Sequence, residues 1–527
     1  MSLVSRSWWM VGWLTVALTG SSRAKDARLQ VTIDSGTLLG VKVAELPTGG
    51  AFLGIPFAAQ PVGELRWRAP QPPPKWSGVR KVDAWGPACP QMPSPWLPEM
   101  LGIQKMVTEE ACLYLNVWTP ELRPSKALPV LVWVHGGGNL EGSGEWPPLG
   151  VMLSRTGIVV VSFNYRLGAF GFFTYPGLDA ESKHHTSGNY GHLDQIAALA
   201  WVQRNIARFG GDPRRVTIAG QSSGSEDVCN LMTSPLAAGL FEGAILQSGT
   251  CVDAVFPQLQ KEEASGERLA KDLGVRAGPQ ALGRLRAISA SHILEAAAID
   301  PDVDLEPNID GQVLPSQPAI AFARGRQARV PVMLGTNEDE VSIFASPLVG
   351  GHSSRPKTVA EYRRWLNREF SRFADEVFAS YPAREDAQVP GVFRTMFSDY
   401  DFAFSAWLLA KQTIQIAQPA YLYRFTYVGS GPFESLGAFH SEELMFLSGR
   451  YWTSWVPKVE DARLSRGMVG YWTQFIKTRN PNGAGLPTWP AFDSDGLCQE
   501  LGKQIGPEAV PRVGRFGIFQ RFLDSRL

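Results

Sequence analysis

The chain has 527 residues, 50 of them basic and 50 acidic, so its formal net charge is zero. That balance excludes the strongly basic surface of a nucleic-acid binder and gives no reason to expect an anionic membrane face as partner. Charged residues at 19% and aromatic residues at 11% exclude a disordered chain and describe a folded protein long enough for a large core.

The N-terminus has the order of a targeting segment. Arg6 supplies positive charge, an apolar stretch runs from Trp8 to Leu18, and small residues follow at Gly20, Ser21, Ser22 and Ala24. This order predicts a signal peptide over 1–24 and a mature chain, 25–527, that forms one domain and is secreted or held in the periplasm or cell envelope. The stretch is shorter than the roughly 20 residues of a bilayer span. No integral membrane span is therefore expected, although an uncleaved N-terminal anchor stays open. The chain has no Asn-x-Ser/Thr sequon, as suits a bacterial exported protein. Its 5 cysteines, Cys89, Cys112, Cys229, Cys251 and Cys498, include no C-x-x-C pair. A metal ribbon or thioredoxin-like centre is thus not expected. An exported protein keeps disulfides, and the odd count leaves one thiol over.

Alternation in Leu29–Ile33 and Leu39–Val43 predicts an early antiparallel hairpin. Pro-rich stretches at 61–74 and 90–98 read as loops. Short apolar runs then recur at Val130–Val134, Ile158–Ser162, Val216–Ala219, Gly243–Leu246, Val330–Leu334 and Tyr421–Tyr427, with helical spacing over Leu193–Phe209. Buried strands alternating with helices predict an α/β fold, a large, mostly parallel central sheet flanked by helices. Two strand-poor stretches, about 258–327 and 358–418, read as helical insertions over one end of that sheet.

The run at 130–134 ends in His135-Gly136-Gly137-Gly138. Consecutive glycines let main-chain amides face a pocket without a Cβ in the way. The run at 216–219 ends in Gly220-Gln221-Ser222-Ser223-Gly224, a G-x-S-x-G turn whose small flanking residues let a strand fold sharply into a helix and project Ser222. A helical stretch, Asp227–Met232, follows. The two loops in this order predict Ser222 as nucleophile and the amides of Gly137, Gly138 and Ser223 as donors to a developing oxyanion. Serine needs a base, and with this elbow the chain order is serine, acid, histidine. His292, His352 and His440 follow the serine. His440 comes after the last strong strand, whereas the other two read as surface residues. The acid belongs after the run at 330–334, where Glu338, Asp339 and Glu340 stand together. Spacing does not choose among them, and a solvated acidic turn describes two of the three.

These residues resemble the type-B carboxylesterase/cholinesterase family of the α/β-hydrolase superfamily. The resemblance runs from about Gly36 to Gly483. It is carried by Leu65-Arg66-Trp67, Cys112–Val117, His135–Gly138, Asn164–Gly168, Gly188–Gly191, Asp194-Gln195, Phe209–Pro213, the serine elbow, Gln247–Gly249 and Gly335–Glu340. It implies Glu340 as the acid, supports His440 as base, and implies the same three oxyanion donors. It also implies a Cys89–Cys112 disulfide and an Arg66–Glu110 ion pair. Cys251 lies near the start of a second bridge in many members, but the sequence offers no nearby partner, so none is predicted. Gln221 stands where many members carry glutamate, Val341 replaces the glycine after the acid, Ala111 replaces an aspartate, and Ser225-Glu226-Asp227 replaces small residues.

The resemblance implies a serine carboxylesterase that hydrolyses small-molecule esters through an acyl-enzyme, with no metal or organic cofactor. A non-catalytic adhesion or scaffold protein on the same fold stays open, as does an amidase, peptidase or lactonase with the same triad. Trp96, Trp146, Phe344 and Phe402 are candidate pocket aromatics. Oligomeric state is not legible.

Overall fold

The computed structural model describes residues 29–93, 106–345, 355–430, 433–451, 455, 457–493 and 496–527. The predicted signal peptide, Trp96 and His352 lie outside the described residues. The strands run β1 (Gln30–Ile33), β2 (Gly36–Leu39), β3 (Gly50–Pro56), β4 (Val79–Lys81), β5 (Tyr114–Thr119), β6 (Leu128–Val134), β7 (Val159–Phe163), β8 (Gly211–Gln221), β9 (Gly243–Gln247), β10 (Val332–Asn337), β11 (Ala420–Phe425), β12 (Leu497–Leu501) and β13 (Ile505–Ala509). β1, β2 and β4 make a small sheet, and the other ten make one sheet in the order β13-β12-β11-β10-β9-β8-β6-β7-β5-β3. From β12 to β7 neighbouring strands are parallel. The edges are antiparallel, β13 on β12, β5 on β7 and β3 on β5.

The parallel centre follows from the residues. β7, β9 and β10 are buried at every position, as strands covered on both faces must be, so they show as apolar runs without alternation. The two outermost strands on each side, β3, β5, β12 and β13, were not expected. β3 carries two glycines and a register shift between Phe52 and Ile55. β5 and β12 bury polar residues that find partners: Asn116 donates to Ser162 Oγ (3.2 Å), and Gln499 donates to Tyr471 Oη (3.1 Å). The early hairpin is tighter than expected. Ile33 pairs with Gly36, and the chain leaves the strand at Gly40 so that Val41 can bridge Ala51 instead.

Helix α1 (Tyr190–Asn205) and helix α2 (Ser223–Thr233) flank β8. Helix α3 (Glu443–Ser448) and the long helix α4 (Val459–Thr478) pack on one another. The expected insertions are helical. The first contains Leu259–Asp272, Ala281–Ala287, Ala290–Ile299 and Pro318–Ala323, and the second contains Val359–Phe370, Ala374–Ser380, Val389–Ser398 and Phe404–Gln415. No helix among the described residues is long and apolar enough to cross a membrane.

Covalent and ionic ties hold the loops. Cys89 and Cys112 form a disulfide. Arg66 grips Glu110 through two hydrogen bonds, at 2.7 and 2.5 Å, and donates to Ile288 O (2.6 Å), which fastens the first insertion to the N-terminal region. Cys229 and Cys251 also form a disulfide, which corrects the expectation that Cys251 has no partner. Cys229 lies on α2, and the fold returns the chain after β9 to it, leaving the two Cα atoms 5.5 Å apart. Cys498 is a buried free thiol that burial pushes up to about 12.

Candidate active site

β8 delivers the chain into α2 through Ser222, whose backbone sits at φ 57°, ψ −134°. A non-glycine residue at such a positive φ is strained and needs its surroundings to hold it. Here Ser222 N–H donates to Gln247 O (2.9 Å), and Ser222 O accepts from Ser225 (2.8 Å) and Glu226 (3.1 Å). The flanking glycines are steric requirements. A Cβ on Gly220 would lie 2.2 Å from Gly224 O, and one on Gly224 would lie 2.3 Å from Val134 O. Ser222 is thus held at the carboxyl end of β8, where open parallel sheets place their ligands, and beside the positive end of α2.

The loop after β6 lies opposite. Gly137 (φ 117°), Gly138 (φ 65°) and Asn139 (φ 57°) carry positive φ in succession. A Cβ on Gly137 would fall 2.1 Å from Glu141 O, whereas Gly138 faces open space. Among the described residues, the amides of Gly137 and Gly138 donate to no oxygen, and both residues line the same cavity as Ser222. His135, at the head of this loop, is stacked on Tyr165 with ring centroids 4.4 Å apart. Burial pushes its imidazole down to about 4.

Glu340 and His440 meet from the ends of β10 and β11. His440 Nδ1 lies 2.6 Å from Glu340 Oε2, and the Asn337 amide donates to Glu340 Oε1 at 2.7 Å. Glu340 is fully buried and His440 nearly so. The structure separates Glu340 from its acidic neighbours, and these do not form a solvated turn. Glu338 pairs with Arg424 (2.7 Å) and Arg512 (3.1 Å), and Asp339 pairs with Arg394 (3.2 Å). His292, by contrast, is exposed on its insertion helix.

Ser222 and His440 open on one cavity of about 610 Å³. Of the sequence-expected aromatics, Trp146, Phe344 and Phe402 line it. The rings of Phe344 and Phe402 lie 5.1 and 5.4 Å from that of His440.

The sequence profile of the carboxylesterase family matches residues 27–507. Fumonisin B1 esterase of Sphingopyxis macrogoltabida is 36% identical over 95% of this chain and 92% of that protein. Liver carboxylesterase 1 of Oryctolagus cuniculus is 33% identical over 84% of this chain and 83% of that protein. The chain belongs to the carboxylesterase family. Among solved structures, a PNB esterase matches with a TM-score of 0.78 at 30% identity, covering 93% of this chain and 99% of that one. A carboxylesterase of Geobacillus stearothermophilus matches with a TM-score of 0.78 at 31% identity, covering 93% and 100%. The chain is accordingly a carboxylic ester hydrolase with the α/β-hydrolase fold.

This carboxylesterase has site residues that its motifs did not disclose. Gln221, flagged only as a departure from the family, places Nε2 3.0 Å from His440 Nε2. Glu443 accepts from Asn337 (2.8 Å) and Gln247 (3.1 Å) behind Glu340. Burial, followed by the nearby charge of Glu340, pushes Glu443 up to about 7. Glu226 and Asp401 border the cavity. Glu226 is half-buried and Asp401 is exposed; desolvation by the surrounding residues, together for Glu226 with nearby carboxylates, pushes their carboxyls up to about 8 and about 6. Glu226 had a signal, its place in the first turn of the elbow helix, but Asp401 had none, because it arrives from the second insertion.

Proposed function

We propose that this carboxylesterase cleaves esters by two-step acyl transfer on Ser222. His440 takes the proton from Ser222 as the hydroxyl oxygen attacks the carbonyl carbon. The amides of Gly137, Gly138 and Ser223 hold the oxyanion. His440 then protonates the departing alcohol, and water repeats the sequence on the acyl-enzyme. Glu340 keeps the Nδ1 proton in place and stabilises the charged imidazole. The observation that carries this reading is the 2.6 Å contact of Glu340 with His440 Nδ1, with His440 lining one cavity with Ser222 and with two glycine amides that donate to no oxygen among the described residues. Fixed donors of this kind stabilise charge without reorganising, and each is worth roughly 3–4 kcal/mol.

The aromatic lining favours an apolar acyl or alcohol group, and the volume suits a small-molecule ester. Two disulfides need an oxidising compartment. They support export under the 1–24 signal peptide, with 25–527 as a single catalytic domain. Purified mature protein is to be assayed on p-nitrophenyl acetate, butyrate and longer esters beside Ser222→Ala. Turnover that the variant loses by about 10⁴-fold or more is expected. Folded wild type that turns over none of these esters, or an undiminished variant, overturns the reading.

A further inference from the structure

One buried polar cluster stands outside the triad and the oxyanion donors. The Asp227 carboxylate, on α2 and five residues past Ser222, is fully buried. It accepts from Asn139 Nδ2 at 3.1 Å, His192 Nε2 at 3.0 Å and Gln195 Nε2 at 2.6 Å. His192 and Gln195 stand one turn apart on α1. His192 Nδ1 has no hydrogen-bond partner among the described residues, so the ring carries its proton on Nε2 and presents it to Asp227. A buried carboxylate is costly unless its lone pairs are met. This one is met by two side-chain amides and an imidazole drawn from two different elements.

Asn139 directly follows Gly138. Its side chain binds Asp227, while its main-chain N–H donates to Ser223 Oγ at 3.1 Å. One residue of the glycine loop is therefore fastened twice to the first turns of α2. Turns inside the loop fix part of its shape, since Gly137 O accepts from Leu140 N–H (3.1 Å) and Glu141 N–H (3.0 Å) and Asn139 O accepts from Gly168 N–H (2.7 Å); the two Asn139 contacts are what tie it to α2.

We propose that Asp227 is the positioning residue of the oxyanion hole: through Asn139 it straps the glycine loop to the elbow helix and so aims the amides of Gly137, Gly138 and Ser223 at one point. The proposal rests on the esterase reading above. A donor aimed wrongly weakens the transition state more than the bound ester, so the loss falls on kcat and spares KM.

The test uses Asp227→Asn, which keeps the shape but turns an amide towards other amides, and Asn139→Gly, which removes the strap and keeps the left-handed backbone. On p-nitrophenyl butyrate, kcat per titrated site is expected to fall about tenfold or more in each, with KM within about threefold. The double variant should be no worse than the weaker single, since one strap is cut twice. Phosphonylation of Ser222 by a p-nitrophenyl phosphonate, which needs the hole but no carboxylic ester and releases p-nitrophenolate, should slow by the same factor. Lower melting temperature with undiminished kcat and phosphonylation would overturn the proposal and leave Asp227 a packing residue. If Asp227→Asn does not fold, Asn139→Gly decides alone on the same readings. Wild type inert to ester and phosphonate overturns the esterase reading and this proposal together. Reactive wild type with equally reactive variants overturns the strap only.

Discussion

Gln221 Nε2 donates to His440 Nε2 across 3.0 Å, using the lone pair that the proposed base needs for the Ser222 proton. Gln221 thus competes with the proposed nucleophile for the proposed base. A neutral amide adds no charge beside an imidazole that already faces Glu340, Asp401 and Glu443, whereas a carboxylate at 221, as in many family members, would favour the protonated, inactive ring. Glu is therefore expected to move the acid limb of kcat/KM to higher pH when introduced as Gln221→Glu. Activity at pH 6 should fall relative to pH 8.5 by about tenfold for each unit the limb moves. Profiles on p-nitrophenyl acetate check this. An unmoved limb would mean that residue 221 does not face the base in solution.

The legible parts of the site were those that backbone sterics impose. Gly220, Gly224 and Gly137 are glycines because main-chain oxygens lie within 2.1–2.3 Å of any Cβ there, and such demands leave their mark on sequence. The buried parallel strands were legible for a similar reason, as unbroken apolar runs. What stayed hidden depends on contacts between distant segments. Nothing local to Thr336–Glu340 says that arginines 394, 424 and 512 draw off Glu338 and Asp339. Nothing near Cys251 says that α2 returns Cys229 to it. β5 and β12 escaped because each buries polar side chains whose partners lie on other elements.

The selection of Glu340 gives a second prediction. Glu340→Gln places an amide against His440 Nδ1 and permits the wrong tautomer, so kcat is expected to fall by about a hundredfold to ten-thousandfold with KM little changed. Glu338→Gln weakens ion pairs to Arg424 and Arg512 that lie away from the cavity, and its kcat should stay within about twofold of wild type. Equal losses in both variants would remove the distinction between the two carboxylates.

Thiol counting tests the cysteine pairing. With two disulfides and Cys498 buried with its thiol pushed up to about 12, native protein is expected to give no prompt reaction with a thiol reagent. Denatured protein should titrate one thiol, and denatured, reduced protein all 5. Cys229→Ala/Cys251→Ala opens a bridge with a sequence separation of 22 and should cost about 2–4 kcal/mol, read as a lower thermal midpoint. Three thiols in denatured, unreduced protein would mean that one of the two bridges does not form.

Glu226 ties the pH dependence of stability to the cavity wall. Burial first, and then the charges of Asp401, Asp227, Asp253 and Glu306, push its carboxyl up to about 8 from an ordinary 4.5. The folded protein therefore holds this proton more tightly than the unfolded chain does. The stability that goes with it is fully present below about pH 4.5 and is lost as pH rises through about 8. Asp401, pushed up to about 6, adds a loss of the same sign lower on the scale, so wild type should lose stability steadily from pH 5 to pH 9 through these groups. Glu226→Gln cannot charge and should escape its share. Its melting temperature is expected to exceed that of wild type at pH 9, with the gap shrinking towards pH 5. Melting curves at pH 5, 7 and 9 decide it. A gap constant across that range would show that Glu226 titrates as an ordinary surface acid, and a gap widening towards pH 5 would mean that its charged form is the one the fold stabilises.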